Sequence, residues 1–280
     1  FNTGTMAPPD SKRAETTKLR ALGFCGADNS VSPRMLGVIS HSYPFVEFGV
    51  LFRPDKEGEP RYASAEWVDE LSKVSTSSGG TMRLAAHLCG ARVNEVLDGK
   101  QDFLANIEKL GFQRVQINAT AVNGVDTSRL ADSVKVFAKV VSELPGLEFI
   151  LQKNAETQPL WEGLLKLDSD TAGKAGYLPK NVTMLVDESK GTGVLASSWP
   201  NPPDEYDIGY AGGIGPSNVE KVLEDVLVAG QGRDIWIDME SSLRSIKGGK
   251  DVFDLDKCFD VIEKVCKMGV HSHPSYIPPP

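Results

Sequence analysis

The chain has 280 residues, of which 40% are hydrophobic and 24% are charged, and these proportions are ordinary for a globular protein. Its formal net charge of −8 argues against partners such as nucleic acid or an anionic membrane surface. No apolar run approaches the roughly 18 residues of a membrane span, and no signal peptide is visible, so we expect a cytoplasmic protein.

Apolar runs typical of strands alternate along the chain with segments of helical period. The predicted pairs, in chain order, are 20–25 with 33–42, 45–52 with 65–74, 82–88 with 91–97 and 102–110, 114–117 with 128–143, 147–152 with 159–165, 182–186 with a Gly/Pro-rich connection, 207–211 with 217–228, and 235–239 with 255–267. Eight such units in about 250 residues predict a (β/α)8 TIM barrel. The alternative, a doubly wound open sheet, would need fewer strands or an edge strand of alternating polarity, and neither is visible.

The barrel is predicted to occupy residues 20–268 as a single domain with extended loops, because no break in composition indicates a second one. Residues 1–19 are interpreted as an N-terminal extension, whose first five residues, FNTGT, resemble a remnant of cloning. Residues 269–280 are interpreted as a C-terminal tail, in preference to a metal role for His271 and His273.

Paired glycines after the seventh predicted strand indicate a binding site for an anion. Barrels of this kind carry their active site at the carboxyl ends of the strands. Gly212 and Gly213 would let the backbone approach a ligand, and a helix that starts near Ser217 would offer free N–H groups. Ser241 and Ser242, after the eighth strand, would complete a phosphate site. The simpler interpretation of the two glycines is a tight turn.

Three other strand ends and loops carry reactive or charged side chains. Cys25 ends the first strand, where a thiol can act as a nucleophile or base, although free cysteines are more often small buried hydrophobic residues. Asp187 ends the sixth strand, where a carboxylate serves either as a general acid or base or as a loop cap. Arg61, after the second strand, either binds a substrate carboxylate or belongs to a solvated surface loop.

Together these pieces resemble the phosphoribosylanthranilate isomerase family, whose members are barrel enzymes of tryptophan biosynthesis. The segments that carry the resemblance are Gly23-Phe24-Cys25-Gly26, Arg61-Tyr62-Ala63-Ser64, Val115-Gln116-Ile117-Asn118, Asp187 with Gly191-Thr192-Gly193, Gly212-Gly213-Ile214-Gly215-Pro216-Ser217-Asn218-Val219, Asp238-Met239-Glu240-Ser241-Ser242-Leu243-Arg244 and Gly249-Lys250-Asp251. They extend in order over about residues 20–268, and the segment 212–219 is the most specific of them.

The resemblance implies an Amadori rearrangement of N-(5-phosphoribosyl)anthranilate, a phosphosugar isomerisation without metal or organic cofactor. It implies that Cys25 is the general base, that Asp187 is the general acid, and that Arg61 holds the anthranilate carboxylate. Other residues expected at the substrate are Gln116, Asn118, His87, Gly191, Gly193 and Asp238. Those expected at its phosphate are Gly212, Gly213, Ser241 and Ser242.

Several positions depart from the family pattern. Asn118 stands where the family has a histidine, Glu240 where it has a serine, and Arg244 where it has a glutamate. A carboxylate beside a phosphate is repulsive. His87 and Cys89 alternate to the same side of the third strand, where they would add a titrating group and a thiol to the barrel mouth. The simpler interpretation is that His87 hydrogen-bonds to a neighbouring strand.

Two other functions stay open at this stage. The first is a metal-dependent barrel that uses Cys25, His87, Cys89 and Asp187. The second is a non-catalytic barrel that binds another phosphorylated metabolite. The presence of Cys25, Arg61 and Asp187 argues against the second, because a binding protein has no need of an acid–base pair. The sequence indicates no oligomeric state.

Overall fold

Eight parallel strands close into a barrel in a computed structural model that describes residues 17–167, 178–187 and 194–271. The strands are β1 (Leu19–Cys25), β2 (Val46–Phe52), β3 (Arg83–Leu88), β4 (Arg114–Ile117), β5 (Glu148–Lys153), β6 (Val182–Val186), β7 (Ile208–Tyr210) and β8 (Ile235–Met239). Each pairs with the next along the chain, and β8 pairs with β1. The predicted (β/α)8 barrel is confirmed.

Helices follow the strands and cover the outside of the barrel. They are α1 (Pro33–Ser42), α2 (Ala65–Ser77), α3 (Ala91–Leu97), α4 (Asp102–Lys109), α5 (Val134–Glu143), α6 (Gln158–Lys166), α7 (Val219–Ala229) and α8 (Leu255–Met268). Side-chain caps fix some of their starts: Ser32 accepts a hydrogen bond from the Arg34 N–H, and Asp254 accepts one from the Asp256 N–H. In the described parts of the chain, no helix combines the length and apolarity that crossing a membrane requires.

The helix predicted over 128–143 is wrong in its first third. The chain forms a short 3-10 helix over Thr127–Arg129, and α5 starts only at Val134. The Asp126 carboxylate accepts hydrogen bonds from the N–H and the hydroxyl of Ser128, at 3.1 and 2.7 Å. Such a side-chain turn satisfies the backbone locally and so competes with a continuous helix.

The strands alternate between residues that face the helices and residues that face the barrel interior. Ala21, Ile150, Leu185, Ala211 and Trp236 form an apolar cluster inside the barrel. Trp236 is the largest of them and has room only because β7 carries a glycine opposite it. A Cβ on Gly209 would lie 2.1 Å from the Trp236 ring, so any larger residue would displace the indole.

A buried ion network lies next to Trp236, among inward residues near the amino ends of the strands. Arg114 pairs with Glu47 at 2.8 Å and with Glu148 at 2.9 Å, and Arg20 pairs with Glu148 at 2.6 Å. The Arg114 guanidinium lies 4.5 Å from the Trp236 ring centroid. This network lies at the end of the barrel opposite the chemistry of such folds, so its role is in stability.

An antiparallel hairpin lies between β8 and α8, and the sequence did not predict it. It consists of β9 (Arg244–Lys247) and β10 (Lys250–Phe253), joined by Gly248 and Gly249. Both glycines have positive φ, 58° and 76°, as a two-residue hairpin turn requires. The Gly-Gly pair between two short strands was the available signal.

Candidate active site

A cavity of about 490 Å³ opens at the carboxyl ends of the strands, where the sequence predicted the site. Every strand or the loop after it contributes to the lining. The lining includes the following predicted site residues: Cys25, Arg61, His87, Gln116, Asn118, Asp187, Gly212, Gly213, Asp238, Ser241 and Ser242. Gly191, Thr192 and Gly193, like His273 of the tail, lie outside the described residues.

Cys25 and His87 form a buried pair in this cavity. Cys25 Sγ lies 3.1 Å from His87 Nδ1, and both side chains are almost fully buried. Burial, followed by the nearby carboxylates of Glu240 and Asp238, raises the pKa of the Cys25 thiol well above its usual value. Burial, with a smaller contribution from Arg114, lowers the pKa of His87 to about 3. At neutral pH a thiol therefore faces a neutral imidazole, and Nδ1 accepts the S–H when the imidazole proton is on Nε2.

Asp238 completes a compact group with this pair. One ligand atom each from Cys25, His87 and Asp238 lies within 4.8 Å of the other two. Burial, then Glu47 and Glu240, raise the pKa of Asp238 well above its usual value. Among the described residues, Cys25, His87 and Asp238 are the group that could hold a metal ion, because thiolate, imidazole and carboxylate are all metal ligands.

Two glycines on neighbouring strands leave the space that this group occupies. A Cβ on Gly23 would lie 2.3 Å from Asp238 Oδ1. A Cβ on Gly49 would lie 2.8 Å from His87 Nε2 and 3.1 Å from Cys25 Cβ. Gly23 belongs to one of the segments that resemble the family, whereas Gly49 was not predicted at the site. An inward glycine beside the end of a strand is the sequence signal of such a close approach.

Asp187 ends β6 and is buried at the cavity wall, three strands away from Cys25 around the barrel. Gln152, the last inward residue of β5, donates from Nε2 to Asp187 Oδ2 at 3.2 Å. Gln152 Oε1 is buried and has no hydrogen-bond partner among the described residues. Gln152 was not predicted as a site residue. Its place as an inward residue at the end of a predicted strand was the available signal.

A chain of polar contacts continues along β3 and β4. Gln116 Nε2 donates to Asn118 Oδ1 at 2.8 Å, and Asn118 Nδ2 lies 3.4 Å from Cys89 Sγ. Burial raises the pKa of Cys89 to about 11. Cys89 packs with Cys25 and Leu51, so His87 and Cys89 do share the inner side of β3. His87 bonds to Cys25 and lines the cavity, which favours its place in the site over a purely structural contact.

Arg61 reaches the cavity but already pairs with two carboxylates. Its Nη1 lies 3.0 Å from Glu240 Oε1 and its Nε 3.4 Å from Asp251 Oδ2. Its φ of 78° lies in the left-handed region, and Asp28 Oδ2 accepts its backbone N–H at 2.6 Å. Strained residues of this kind concentrate at functional sites. The pairing also neutralises Glu240, whose carboxylate was expected to repel a phosphate.

The turn before α7 forms hydrogen bonds with several of its own N–H groups. Asn218 N–H and Val219 N–H donate to the carbonyl of Gly215, and Gly215 N–H donates to Asn218 Oδ1. Ser242 Oγ donates to the carbonyl of Ile214 at 2.5 Å. The turn before the helix therefore uses the N–H groups of Gly215, Asn218 and Val219 itself, and the phosphate site stays a prediction.

Gly213 is also covered from one side. A Cβ at Gly213 would lie 2.4 Å from the backbone nitrogen of Leu195, so the segment after β6 passes directly against this glycine. Gly212 and Gly213 have φ values of 101° and 67°, and both still line the cavity. Gly213 thus permits a turn and a close backbone contact, and these observations leave a phosphate role for the two glycines as a prediction.

Two cations of the loop after β2 lie at the cavity as well. Arg53 and Lys56 line it, and Arg53 Nε lies 3.1 Å from Asp55 Oδ1. Lys56 Nζ lies 5.7 Å from the Tyr62 ring centroid. The loop after β2 therefore places positive charge at the mouth of the cavity.

No protein-family model matches the chain, and no curated protein sequence matches it either. Among solved structures the chain is similar to a mutant tryptophan synthase alpha-subunit from the hyperthermophile Pyrococcus furiosus, with a TM-score of 0.51 and 13% identity over 91% of this chain and 100% of that one. It is also similar to a GH113 beta-1,4-mannanase, with a TM-score of 0.48 and 8% identity over 89% of this chain and 99% of that one. At such identities the likeness concerns the fold alone.

Proposed function

We propose that this barrel is an enzyme that isomerises a small phosphorylated sugar derivative by acid–base catalysis, in the manner of phosphoribosylanthranilate isomerases. The observation that carries the proposal is the Cys25–His87 contact of 3.1 Å in the same cavity as Asp187. Proton transfer of this kind needs a base and an acid that both reach one bound substrate. It does not need a cofactor.

The reaction has two steps, ring opening and proton removal from C2′, and each is assigned to a residue on a different side of the cavity. Asp187 in its acid form donates a proton to the ring oxygen of the sugar, the ring C–O bond breaks, and the nitrogen lone pair forms the C=N bond of a Schiff base. The resting pair is a thiol and a neutral imidazole, and the reaction proceeds through the minor form in which the Cys25 proton has moved to His87 Nδ1. In that form the Cys25 thiolate takes the proton from C2′, and the C–H electrons form the enolamine that tautomerises to the ketose. His87 is needed because burial otherwise keeps Cys25 as a neutral thiol.

The substrate's anionic groups face a different set of cations from the one that the resemblance implies. Arg61 is engaged by the half-buried carboxylates of Glu240 and Asp251, so we assign the anchoring of an anionic group to Lys56 and Arg53. Arg53 pairs only with the exposed carboxylate of Asp55 among the described residues, and such an exposed pair is easily exchanged for another anion. Gln116 and Asn118 offer amide groups to sugar hydroxyls. The fold likeness to a tryptophan synthase alpha-subunit is compatible with this assignment and does not argue for it.

Turnover of freshly prepared N-(5-phosphoribosyl)anthranilate, followed by fluorescence, tests the proposal. We expect activity in the wild type and at least ~10²-fold less in Asp187→Asn, because a general acid contributes that much to the rate. The matched control is Asp204→Asn, at an exposed position outside the cavity, which should leave turnover unchanged. Wild-type inactivity toward this substrate, or unchanged turnover in Asp187→Asn, would contradict the proposal.

A further inference from the structure

We propose that Cys25, His87 and Asp238 bind a divalent transition-metal cation of the zinc class at the inner end of the cavity. The three side chains come from β1, β3 and β8, and they converge so that one ligand atom of each lies within 4.8 Å of the others. The proposed isomerisation uses the Cys25–His87 contact but gives Asp238 no part in it, and the inference stands whether or not the isomerase assignment holds.

The donor set suits such a cation. Thiolate, imidazole and carboxylate are the three ligand types that zinc takes in proteins, at about 2.3, 2.0–2.1 and 2.0–2.2 Å. Those bond lengths place a sulfur and a nitrogen about 3.5 Å apart in a tetrahedral site. The observed separation of Cys25 Sγ and His87 Nδ1 is 3.1 Å, so a shift of a few tenths of an ångström brings this pair to its coordination distance, and the Asp238 carboxylate would close on the ion from within 4.8 Å.

The surroundings favour a positive charge at this point. Coordination through a Cys25 thiolate and an Asp238 carboxylate would bring together two negative charges, which one divalent cation balances. The buried guanidinium of Arg114 acts on the charge of both His87 and Asp238, but it is committed to Glu47 and Glu148. Arg114 therefore does not supply the balancing charge.

The strands also leave the room that coordination requires. Gly23 and Gly49 carry no side chain where a Cβ would press on Asp238 Oδ1 and on His87 Nε2, at 2.3 and 2.8 Å. The cavity lies on the open side of the three ligands, so a fourth position is accessible to water or to a ligand. Three protein ligands and one open position are the arrangement of catalytic rather than structural zinc sites.

The metal and the isomerisation compete for one side chain. A coordinated Cys25 thiolate is no longer available as a base, so the metal-loaded protein should not isomerise a substrate by the route proposed above. Because binding is measured without substrate, failure of the isomerase assay leaves the metal test intact, and the two proposals fail separately.

The test is a cobalt titration of the full chain after removal of metals with a chelator. We expect one equivalent of Co²⁺ to produce a thiolate-to-cobalt charge-transfer absorption, and Zn²⁺ to abolish it by displacement. Cys25→Ser should remove the band, and His87→Gln and Asp238→Asn should each weaken Co²⁺ binding at least tenfold. The matched control is Cys89→Ser, a second buried thiol next to Cys25, which should leave the band in place.

Two results would overturn the proposal. The first is the absence of a thiolate-to-cobalt band in the wild type, and the second is a band that survives Cys25→Ser. If Cys25→Ser does not fold, the thermal unfolding of the wild type decides instead: Zn²⁺ at a hundredfold excess over its Kd should stabilise a specific site by about 2.7 kcal/mol. An unchanged melting temperature with Zn²⁺ would then refute the site.

Discussion

Replacing Arg244 by methionine should lower the free energy of unfolding by about 3–5 kcal/mol, because it leaves a buried carboxylate without its cation. The side chains of Arg244 and Asp28 are 3% and 4% exposed, and Arg244 Nη2 lies 2.8 Å from Asp28 Oδ2. Arg244 also donates to the carbonyl of Gly26 at 2.8 Å and pairs with Asp251 at 2.8 Å. An exposed pair of the same geometry would contribute at most about 1 kcal/mol, so burial sets the magnitude.

Urea unfolding followed by circular dichroism measures this loss. Lys250→Met, at an exposed position on the same hairpin, is the control and should change the free energy of unfolding by less than about 0.5 kcal/mol. The double variant Arg244→Met with Asp28→Asn should be more stable than Arg244→Met alone, because no unpaired charge is left buried. A loss of less than about 1 kcal/mol in Arg244→Met would refute the reasoning.

Two further predictions concern the cavity. Burial lowers the pKa of His87 from 6.5 to about 3. As the pH falls below 6.5, His87 therefore takes up a proton in the unfolded chain but not in the native protein, and this proton uptake lowers the stability of the native protein. His87→Gln should therefore lose less stability than the wild type between pH 7 and pH 5, by up to about 1.4 kcal/mol per pH unit in urea unfolding; equal losses would contradict the burial argument. Glu240→Gln should lower the free energy of unfolding by at most about 1 kcal/mol, since the side chains of Glu240 and Arg61 are each one-third exposed. The same variant should bind inorganic phosphate more tightly in a calorimetric titration, because it removes one of the two carboxylates that pair with Arg61. Unchanged phosphate affinity would exclude Arg61 from anion binding.

The barrel could be predicted from the sequence because each strand is a local signal. Runs such as IWIDM over 235–239 and VTMLV over 182–186 have the apolar character and length of buried parallel strands, and the structure gives them the predicted bounds. Their number and spacing then leave few alternatives to a closed barrel. The late start of α5 escaped prediction because one side-chain turn at Asp126 outweighs helical periodicity.

The site was predicted as a set of residues but not as a set of contacts. Cys25 and His87 are 62 residues apart, and only the register of β1, β2 and β3 brings their side chains together. Arg61 and Glu240 are 179 residues apart, so nothing local shows that they neutralise each other. The contact of Leu195 with Gly213 could not be predicted for a similar reason, since it arises through tertiary packing alone.

The hairpin after β8 offers a place to attach an optical reporter close to the cavity. Its tip, Gly248 and Gly249, is exposed, and nothing lies within 4 Å of a Cβ added at either position. Its base is fixed by Arg244, and Asp251 on its second strand pairs with Arg61 at the mouth. Loop tips of this kind tolerate insertions. A dye attached to an insertion at this tip would be held on a hairpin whose base is fixed by ion pairs. A change in its fluorescence would then report that a ligand enters the cavity, and no label would be needed inside the barrel.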